Sequence, residues 1–249
     1  MNTRVCCWTI AACGALFTVG AQAQPVASAS VSLEAETDRR ERGLSWSDGK
    51  PALSVFATVP SGDALAFDLG AATLRDSARH GGADVALTIA PRYTVYTGGF
   101  ALSAGARGNV FIGRSGMTYA EITGEVARTI GPVQLVLGAD FAPSQDSIGG
   151  HNLHVDASAS AGIPGLPFTL YGGVGRTSGS SRDDARSARL RPGGTYTDYH
   201  LGIERSRALL SVGVRYSDTS IGKNEVDRLS PYYDQHFGSR IVGYLRIST

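Results

Sequence analysis

The sequence predicts an all-β fold, a transmembrane antiparallel up-and-down β-barrel of about twelve strands. Three observations predict it: apolar and polar residues alternate along most of the chain, the connections alternate between short and long, and an export signal stands at the N-terminus. The alternation is clearest over residues 153–160. Because successive side chains of a strand point to opposite sides, one face of this segment is apolar and the other is polar.

The alternating runs between turn residues give about twelve strands of roughly nine to thirteen residues, the length that a tilted strand needs to cross a bilayer. The predicted spans are residues 27–38, 51–59, 64–74, 83–96, 100–112, 117–129, 133–142, 151–161, 167–175, 195–205, 208–217 and 238–247. No apolar run after residue 23 approaches the length of a membrane helix, so any membrane span must consist of strands.

The connections between these strands fall into two classes. Short turns are predicted at residues 60–63, 97–99, 130–132, 162–166 and 206–207. Longer links are predicted at residues 39–50, 75–82, 113–116, 143–150, 176–194 and 218–237. Short periplasmic turns and longer extracellular loops are the hairpin pattern of outer-membrane barrels, and an even strand count places both termini in the periplasm.

A secreted β-sandwich or a soluble lipid-binding barrel is the alternative fold. On the predicted strand at 64–74, Leu65, Phe67 and Leu69 form a face without charge, whereas the opposite face carries Asp68. A packed sandwich rarely buries one such face and tolerates the other on every strand. The pattern therefore favours an apolar face toward lipid and a charged face toward a wet lumen, in the outer membrane of a Gram-negative bacterium.

Residues 1–23 have the features of a secretory signal peptide. Arg4 gives the first residues a positive charge, residues 5–20 are apolar, and Ala21-Gln22-Ala23 is a cleavage site of the A-x-A type. The apolar stretch is shorter than the ~18 residues expected of a transmembrane anchor. We expect cleavage after Ala23, which assigns residues 24–249 to the barrel.

All three cysteines, Cys6, Cys7 and Cys13, lie in this N-terminal segment. Its removal excludes a disulfide scaffold, cysteine catalysis and Cys-ligated metals. Lipidation at Cys13 is the alternative to cleavage, but the apolar run before it is short. The segment holds one base and no acid, so 23 bases against 22 acids become 22 against 22. A neutral chain gives no support to a nucleic-acid partner.

Residues 38–52 carry a motif that resembles the first hairpin of the TorF porin family. The positions that match the family pattern are Asp38, Arg42, Gly43, Ser45, Ser47, Asp48, Lys50, Pro51 and Ala52. The resemblance implies an outer-membrane barrel that serves as a pore, in a family whose substrates are not established. The chain departs from the pattern at Arg39 and Glu41, where the family has aromatics, and it ends in Thr249 rather than an aromatic residue.

Alternation places eleven acids and five bases on the lumen side, a formal charge of −6. The acids are Glu34, Glu36, Asp38, Asp68, Asp84, Glu121, Glu125, Asp140, Asp156, Asp198 and Glu204, and the bases are Arg92, Arg107, Arg215, Arg240 and Arg246. Pairs across strands hold a barrel together, but the excess of acids survives pairing, and carboxylates in a narrow pore favour cations. The residues expected to set selectivity are Glu121, Glu125, Asp140, Asp156, Asp198, Arg92, Arg107 and Arg215.

The long loops are basic. Their arginines are Arg39, Arg40, Arg42, Arg182, Arg186, Arg189 and Arg191. Guanidinium groups bind phosphates and carboxylates, so these loops suit lipopolysaccharide or an anionic solute. A solvated loop is the alternative, above all for the Ser-, Gly- and Arg-rich segment 176–194.

The predicted function is passive diffusion of small solutes through an outer-membrane porin, with a mild preference for cations. Its expected partners are the lipid bilayer, lipopolysaccharide, the outer-membrane assembly machinery and small solutes. One alternative is a plugged structural or adhesive barrel. Another is an omptin-like hydrolase that uses Asp198 and His200, which lie side by side on one strand face. We expect no enzyme activity and no cofactor, and no histidine pair has zinc-ligand spacing.

Overall fold

The structure, a computed structural model, describes residues 28–249. The predicted cleavage after Ala23 and the alternative at Cys13 lie outside the described residues. No helix within residues 28–249 has both the length and the apolar character needed to span a membrane.

Twelve antiparallel strands close into a barrel, and two short strands pair only with each other. In chain order the strands are β1 (Ser30–Glu36), β2 (Arg40–Glu41), β3 (Leu44–Ser45), β4 (Ala52–Ser61), β5 (Leu65–Ser77), β6 (Ala83–Thr97), β7 (Phe100–Phe111), β8 (Tyr119–Ile130), β9 (Val133–Gln145), β10 (Gly150–Gly162), β11 (Phe168–Gly179), β12 (Tyr196–Arg207), β13 (Leu210–Thr219) and β14 (Arg240–Ser248). The helices are α1 (Asp184–Ser187) and the 3₁₀ turns Ala78–His80, Ser115–Met117 and Asp146–Ile148.

This architecture confirms the predicted fold class. Each of the twelve barrel strands lies at a predicted position, with ends that differ by a few residues. The β2–β3 hairpin was not predicted and lies within the first long link. The barrel closes between β1 and β14, where Leu33 pairs with Ile247 and the Thr249 backbone N–H donates to the Val31 carbonyl at 3.0 Å.

The outer surface of the barrel is apolar. Along β13, each apolar residue from Leu210 to Tyr216 is exposed, whereas the intervening Ser211, Gly213 and Arg215 are buried. Leu137 on β9 and Leu201 on β12 are 60% and 66% exposed, and a soluble protein would avoid such exposure of large apolar side chains on several strands. This arrangement, apolar outside and polar inside, is that of a membrane barrel rather than a sandwich.

The two ends of the barrel differ. At the turn end, connections are tight; Gly98 and Gly99 supply the positive φ angles of 57° and 79° that the turn after β6 requires. At the loop end, residues of the long loops pack against residues at the ends of β5 to β9 and form a buried apolar cluster, here called the loop-end cluster. Its members are Trp46, Leu74, Ala83, Ala86, Phe111, Met117, Tyr119, Ala142, Ile148 and Leu190. This cluster is the larger of the two buried apolar clusters found within residues 28–249.

Candidate lumen site

The first long loop folds into the barrel. The tip of the β2–β3 hairpin has Arg42 at φ 50° and Gly43 at φ 74°. A Cβ atom on Gly43 would lie 2.5 Å from Thr219 Cγ2 and 2.9 Å from Asp198 Cβ. Only glycine combines this backbone conformation with so close an approach, so the hairpin tip rests against the wall formed by β12 and β13.

Arg42 joins two carboxylates of the opposite wall. Its Nη1 lies 2.9 Å from Glu121 Oε1, and its Nη2 lies 3.0 Å from Asp140 Oδ2. Arg107 Nη1 lies 3.3 Å from the same Asp140 oxygen and 3.5 Å from Glu121 Oε2. The Tyr196 hydroxyl donates to the Arg42 carbonyl at 3.0 Å. Two arginines therefore neutralise two of the acids that were predicted to set selectivity.

The base of the hairpin is also held by ion pairs. Arg39 Nη1 lies 3.2 Å from Glu36 Oε1, and Arg40 Nη1 lies 3.0 Å from Asp38 Oδ2. The Ser45 hydroxyl donates to Asp38 Oδ1 at 2.6 Å. The motif residues Asp38, Arg42, Gly43 and Ser45 thus fasten the loop inside the barrel. The remaining motif residues, at the loop end, are Ser47, Asp48, Lys50, Pro51 and Ala52.

The predicted basic outer surface is wrong for five arginines: Arg39, Arg40, Arg42, Arg189 and Arg191. Their guanidinium groups turn inward, because wall carboxylates and loop carbonyls there would otherwise remain unpaired. Arg189, fully buried, donates through Nε to the Arg79 carbonyl at 3.0 Å. Arg191 Nη2 donates to the Ser180 carbonyl at 2.6 Å. The predicted loop arginines that keep substantial exposure are Arg182 and Arg186.

Three other lumen acids share one row of the barrel, here called the carboxylate row. Glu125 on β8 is paired in register with Gly138, which is paired with Asp156 on β10. Asp156 is paired with Gly175, which is paired with Asp198 on β12. Acids and glycines therefore alternate across five neighbouring strands.

The glycines of the row make room for the carboxylates. A Cβ on Gly138 would lie 2.5 Å from Asp156 Oδ1, and one on Gly175 would lie 2.8 Å from Asp198 Oδ2. Glu125 Oε1 and Asp198 Oδ2 are buried and accept no hydrogen bond within residues 28–249. In the same described part of the chain, no salt bridge involves Glu125 or Asp156. In this part of the chain, Glu125 and Asp156 therefore lack the direct ion pairs with arginine that Glu121 and Asp140 form.

Arg92, Arg215 and Arg246 each face an acid, whereas Arg240 is exposed and donates to the Gly49 carbonyl at 3.2 Å instead. Arg92 Nε lies 2.9 Å from Asp68 Oδ2, and Arg215 Nη2 lies 3.4 Å from Glu36 Oε2. These pairs link neighbouring or nearby strands and stabilise the wall. The predicted formal charge of −6 is too negative, since it omitted the arginines of the inserted hairpin.

Asp198 and His200, the pair named for the hydrolase alternative, are not in contact. Both lie on the lumen face of β12, but within residues 28–249 no hydrogen bond or salt bridge joins them. Asp198 Oδ2 lies 3.9 Å from His154 Nδ1 instead, and that nitrogen shares a 2.8 Å hydrogen bond with the Thr177 hydroxyl. The contact between Asp198 and His200 on which the hydrolase alternative depends is therefore not formed within residues 28–249.

The loop-end cluster contains one buried histidine. The His80 ring is fully buried and stacks on Phe111 with the ring centroids 4.6 Å apart. Burial, followed by the charges of Arg189 and Arg79, lowers the pKa of His80 well below its ordinary value. His80 therefore stays neutral at neutral pH and acts as part of the apolar packing.

A family model described as "Bacterial protein of unknown function (Gcw_chp)" matches residues 20–240. No curated protein matches the chain. The match does not confirm the TorF assignment, which stays a prediction.

Several solved structures resemble this barrel. A KdgM porin in complex with disordered oligogalacturonate has 6% identity and a TM-score of 0.55, over 88% of this chain and 99% of that chain. The NanC porin has 8% identity and a TM-score of 0.55, over 88% and 97%. The COG4313 outer membrane channel from Pseudomonas putida F1 has 11% identity and a TM-score of 0.53, over 94% and 98%. At such identities the similarity shows the fold alone, a barrel of the outer-membrane porin type.

Proposed function

We propose that this chain forms a narrow passive channel for small hydrophilic solutes in an outer membrane. The chain belongs to the Gcw_chp family of bacterial proteins of unknown function. The observation that carries the proposal is a closed barrel whose exterior is apolar and whose interior is charged. An apolar band matches lipid, and a charged interior is stable only when it is wet or internally paired. The inserted β2–β3 hairpin is the constriction of this channel.

The channel prefers cations, and the carboxylate row is the source of the preference. Glu121 and Asp140 contribute little, because Arg42 and Arg107 neutralise them. The row has no such compensation, and charges beside a low-dielectric wall are screened less than charges on an open surface. A cation in the lumen is therefore attracted at several successive strands.

Reversal potentials in planar bilayers under a KCl gradient test this proposal. We expect modest cation preference in the parent and a shift toward anions in the triple variant Glu125→Gln, Asp156→Asn, Asp198→Asn, with a larger shift at low salt. Asp63→Asn is the control, since this exposed acid lies in a short turn outside the lumen. Anion preference in the parent, or an unchanged potential in a conducting triple variant, would contradict the proposal.

The loop-end cluster favours a second candidate, a plugged structural barrel. The cluster packs residues of several long loops together at one end of the barrel. Arg189 links these loops by donating hydrogen bonds to the carbonyls of Arg79 and Met117. In a structural barrel the exposed parts of the loops carry out the function, and the lumen charges only stabilise the barrel wall. Absence of conductance from folded protein that keeps its heat-dependent gel mobility would favour this candidate over the channel.

Contacts with the assembly machinery and with lipopolysaccharide remain proposals as well. Thr249 takes part in the closing seam of the barrel, where the Val31 backbone N–H donates to its hydroxyl at 3.1 Å. Lipopolysaccharide binding loses support, because the arginines that suggested it are mostly buried.

A further inference from the structure

Three metal-ligating side chains from distant parts of the sequence meet at the loop end. Asp48 lies in the first long loop, and Asp234 and His236 lie in the last one. One ligand atom from each lies within 4.8 Å of the other two. We infer that these residues form a binding site for a divalent transition-metal ion, with Zn²⁺ as the best match.

The three donor atoms converge on one point. His236 Nδ1 lies 2.8 Å from Asp234 Oδ1 and 3.5 Å from Asp48 Oδ1. A metal ion bound between these atoms would have one imidazole nitrogen and two carboxylate oxygens as protein ligands, with water in the fourth position.

The other oxygen of each carboxylate faces a fixed cation. Asp48 Oδ2 lies 2.9 Å from Lys50 Nζ, and Asp234 Oδ2 lies 3.6 Å from Arg79 Nε. The Asp234 side chain is fully buried, and its Oδ2 accepts no hydrogen bond within residues 28–249. The oxygens that face these cations therefore leave Oδ1 of each carboxylate turned toward His236, where it is placed to bind a metal ion.

The donor set decides the class of metal. Ca²⁺ and Mg²⁺ prefer sites made of oxygen atoms with more ligands or several waters, whereas imidazole with carboxylate suits Zn²⁺ and similar ions. Lys50 and Arg79 already balance the two carboxylates, so a purely electrostatic attraction to Ca²⁺ is weak. Coordination by the imidazole nitrogen of His236 therefore decides the choice of metal and favours Zn²⁺.

The backbone holds the imidazole in place before any metal binds. Gly49 has a φ of 68°, and a Cβ there would lie 2.6 Å from His236 Cδ2, so the ring lies directly over this glycine. The His236 backbone N–H donates to Asp234 Oδ1 at 2.8 Å, and its carbonyl accepts from the Ser45 backbone at 3.1 Å. Such support restricts the ligands to one arrangement and favours binding.

The site would clamp the inserted hairpin to the last loop. Ser45 belongs to β3, and Arg40 of β2 donates to the Gly238 carbonyl at 2.8 Å. Metal binding therefore stabilises the closed arrangement of the loop end. This consequence is independent of whether the lumen conducts.

Calorimetric titration of the full folded chain in detergent with ZnCl₂, and in parallel with CaCl₂, tests the site. We expect one Zn²⁺ per chain and a rise in melting temperature with Zn²⁺. Asp48→Asn and His236→Ala should each weaken binding by about tenfold or more.

His151→Ala is the matched control, because this histidine also lies at the loop end but its Nδ1 is engaged by the Ser180 hydroxyl at 2.7 Å. Heat-dependent gel mobility shows that each variant is folded. No Zn²⁺ binding by the parent, undiminished binding in both site variants, or Ca²⁺ binding as tight as Zn²⁺ binding would overturn the assignment. None of these results depends on conductance.

Discussion

Acids at the loop end and acids in the carboxylate row lie on the same inner wall, but among the described residues only those at the loop end form ion pairs with arginine. At the loop end, Glu121 and Asp140 lie against Arg42, which arrives from a loop far away in the sequence. In the row, Glu125 and Asp156 have glycine neighbours and no salt bridge within residues 28–249. The difference teaches that the charge of a barrel lumen depends on which loops enter it as much as on the strands that line it.

The two regions should also respond to mutation in opposite ways. Removal of one partner from a buried ion pair leaves a charge uncompensated and is strongly destabilising. Neutralisation of an acid that lacks a partner removes a repulsion and leaves stability unchanged or higher. The following variants test this contrast.

Arg42→Ala should have the largest effect on stability. It leaves the fully buried Glu121 carboxylate and Asp140 with Arg107 alone, so we expect a loss of about 3–5 kcal/mol in the free energy of unfolding. Urea unfolding in lipid vesicles measures this change. Arg182→Ala, at an exposed loop position, should shift it by less than about 0.5 kcal/mol. Similar losses in both variants would show that the two regions are not distinct.

Gly175→Ala should have an intermediate effect. The new methyl group would lie 2.5 Å from His154 Cε1 and 2.8 Å from Asp198 Oδ2, and we expect a loss of about 1–3 kcal/mol from overpacking. Gly124→Ala is the matched control on another strand of the barrel, since nothing lies within 4 Å of its added Cβ. Equal stability of the two variants in the same urea titration would mean that the row does not need its glycines.

A pH change should have the smallest effect. Because the pKa of His80 is lowered in the folded protein, the unfolded chain binds more protons below the ordinary histidine pKa of about 6.5, and stability falls as pH decreases. At one pH unit below that value the loss is about 1.4 kcal/mol. His80→Phe keeps a ring against Phe111 and should remove this part of the pH dependence. Melting curves at pH 7.5 and 5.5 that change equally in parent and variant would exclude His80 as the cause.

The strands and their faces could be predicted from the sequence because both depend on local alternation. The run from Leu153 to Ser160 lies on β10 with the expected faces. Four of the five short turns fall where Gly or Pro interrupts the pattern, whereas the turn predicted at 206–207 lies two residues later, between β12 and β13. Strand periodicity is a property of neighbouring residues, so one sequence contains it. The inward direction of Glu125 and Asp156 follows from the same rule.

The insertion of the first loop could not be predicted, because it depends on contacts between distant residues. Arg42 is a loop residue by local pattern, and nothing near it in the sequence points to Asp140. The mixed charges of Arg39, Arg40 and Glu41 before Gly43 are the signal that could have suggested a buried hairpin. The contact of Asp48 with His236 could not be predicted either, because metal-ligand motifs are recognised by the spacing of residues within one local segment of the sequence.

The register of the carboxylate row gives the acids different electrical depths. A row perpendicular to strands that tilt by about 40° and lie about 4.8 Å apart rises by roughly 12 Å over four strand steps. Glu125 lies in the middle of β8, whereas Asp198 lies near the loop end of β12. These positions differ by about half of the ~25 Å apolar band. A monovalent ion that moves along the row therefore crosses about half of an applied voltage, or about 1 kcal/mol at 100 mV, while it also moves around the wall.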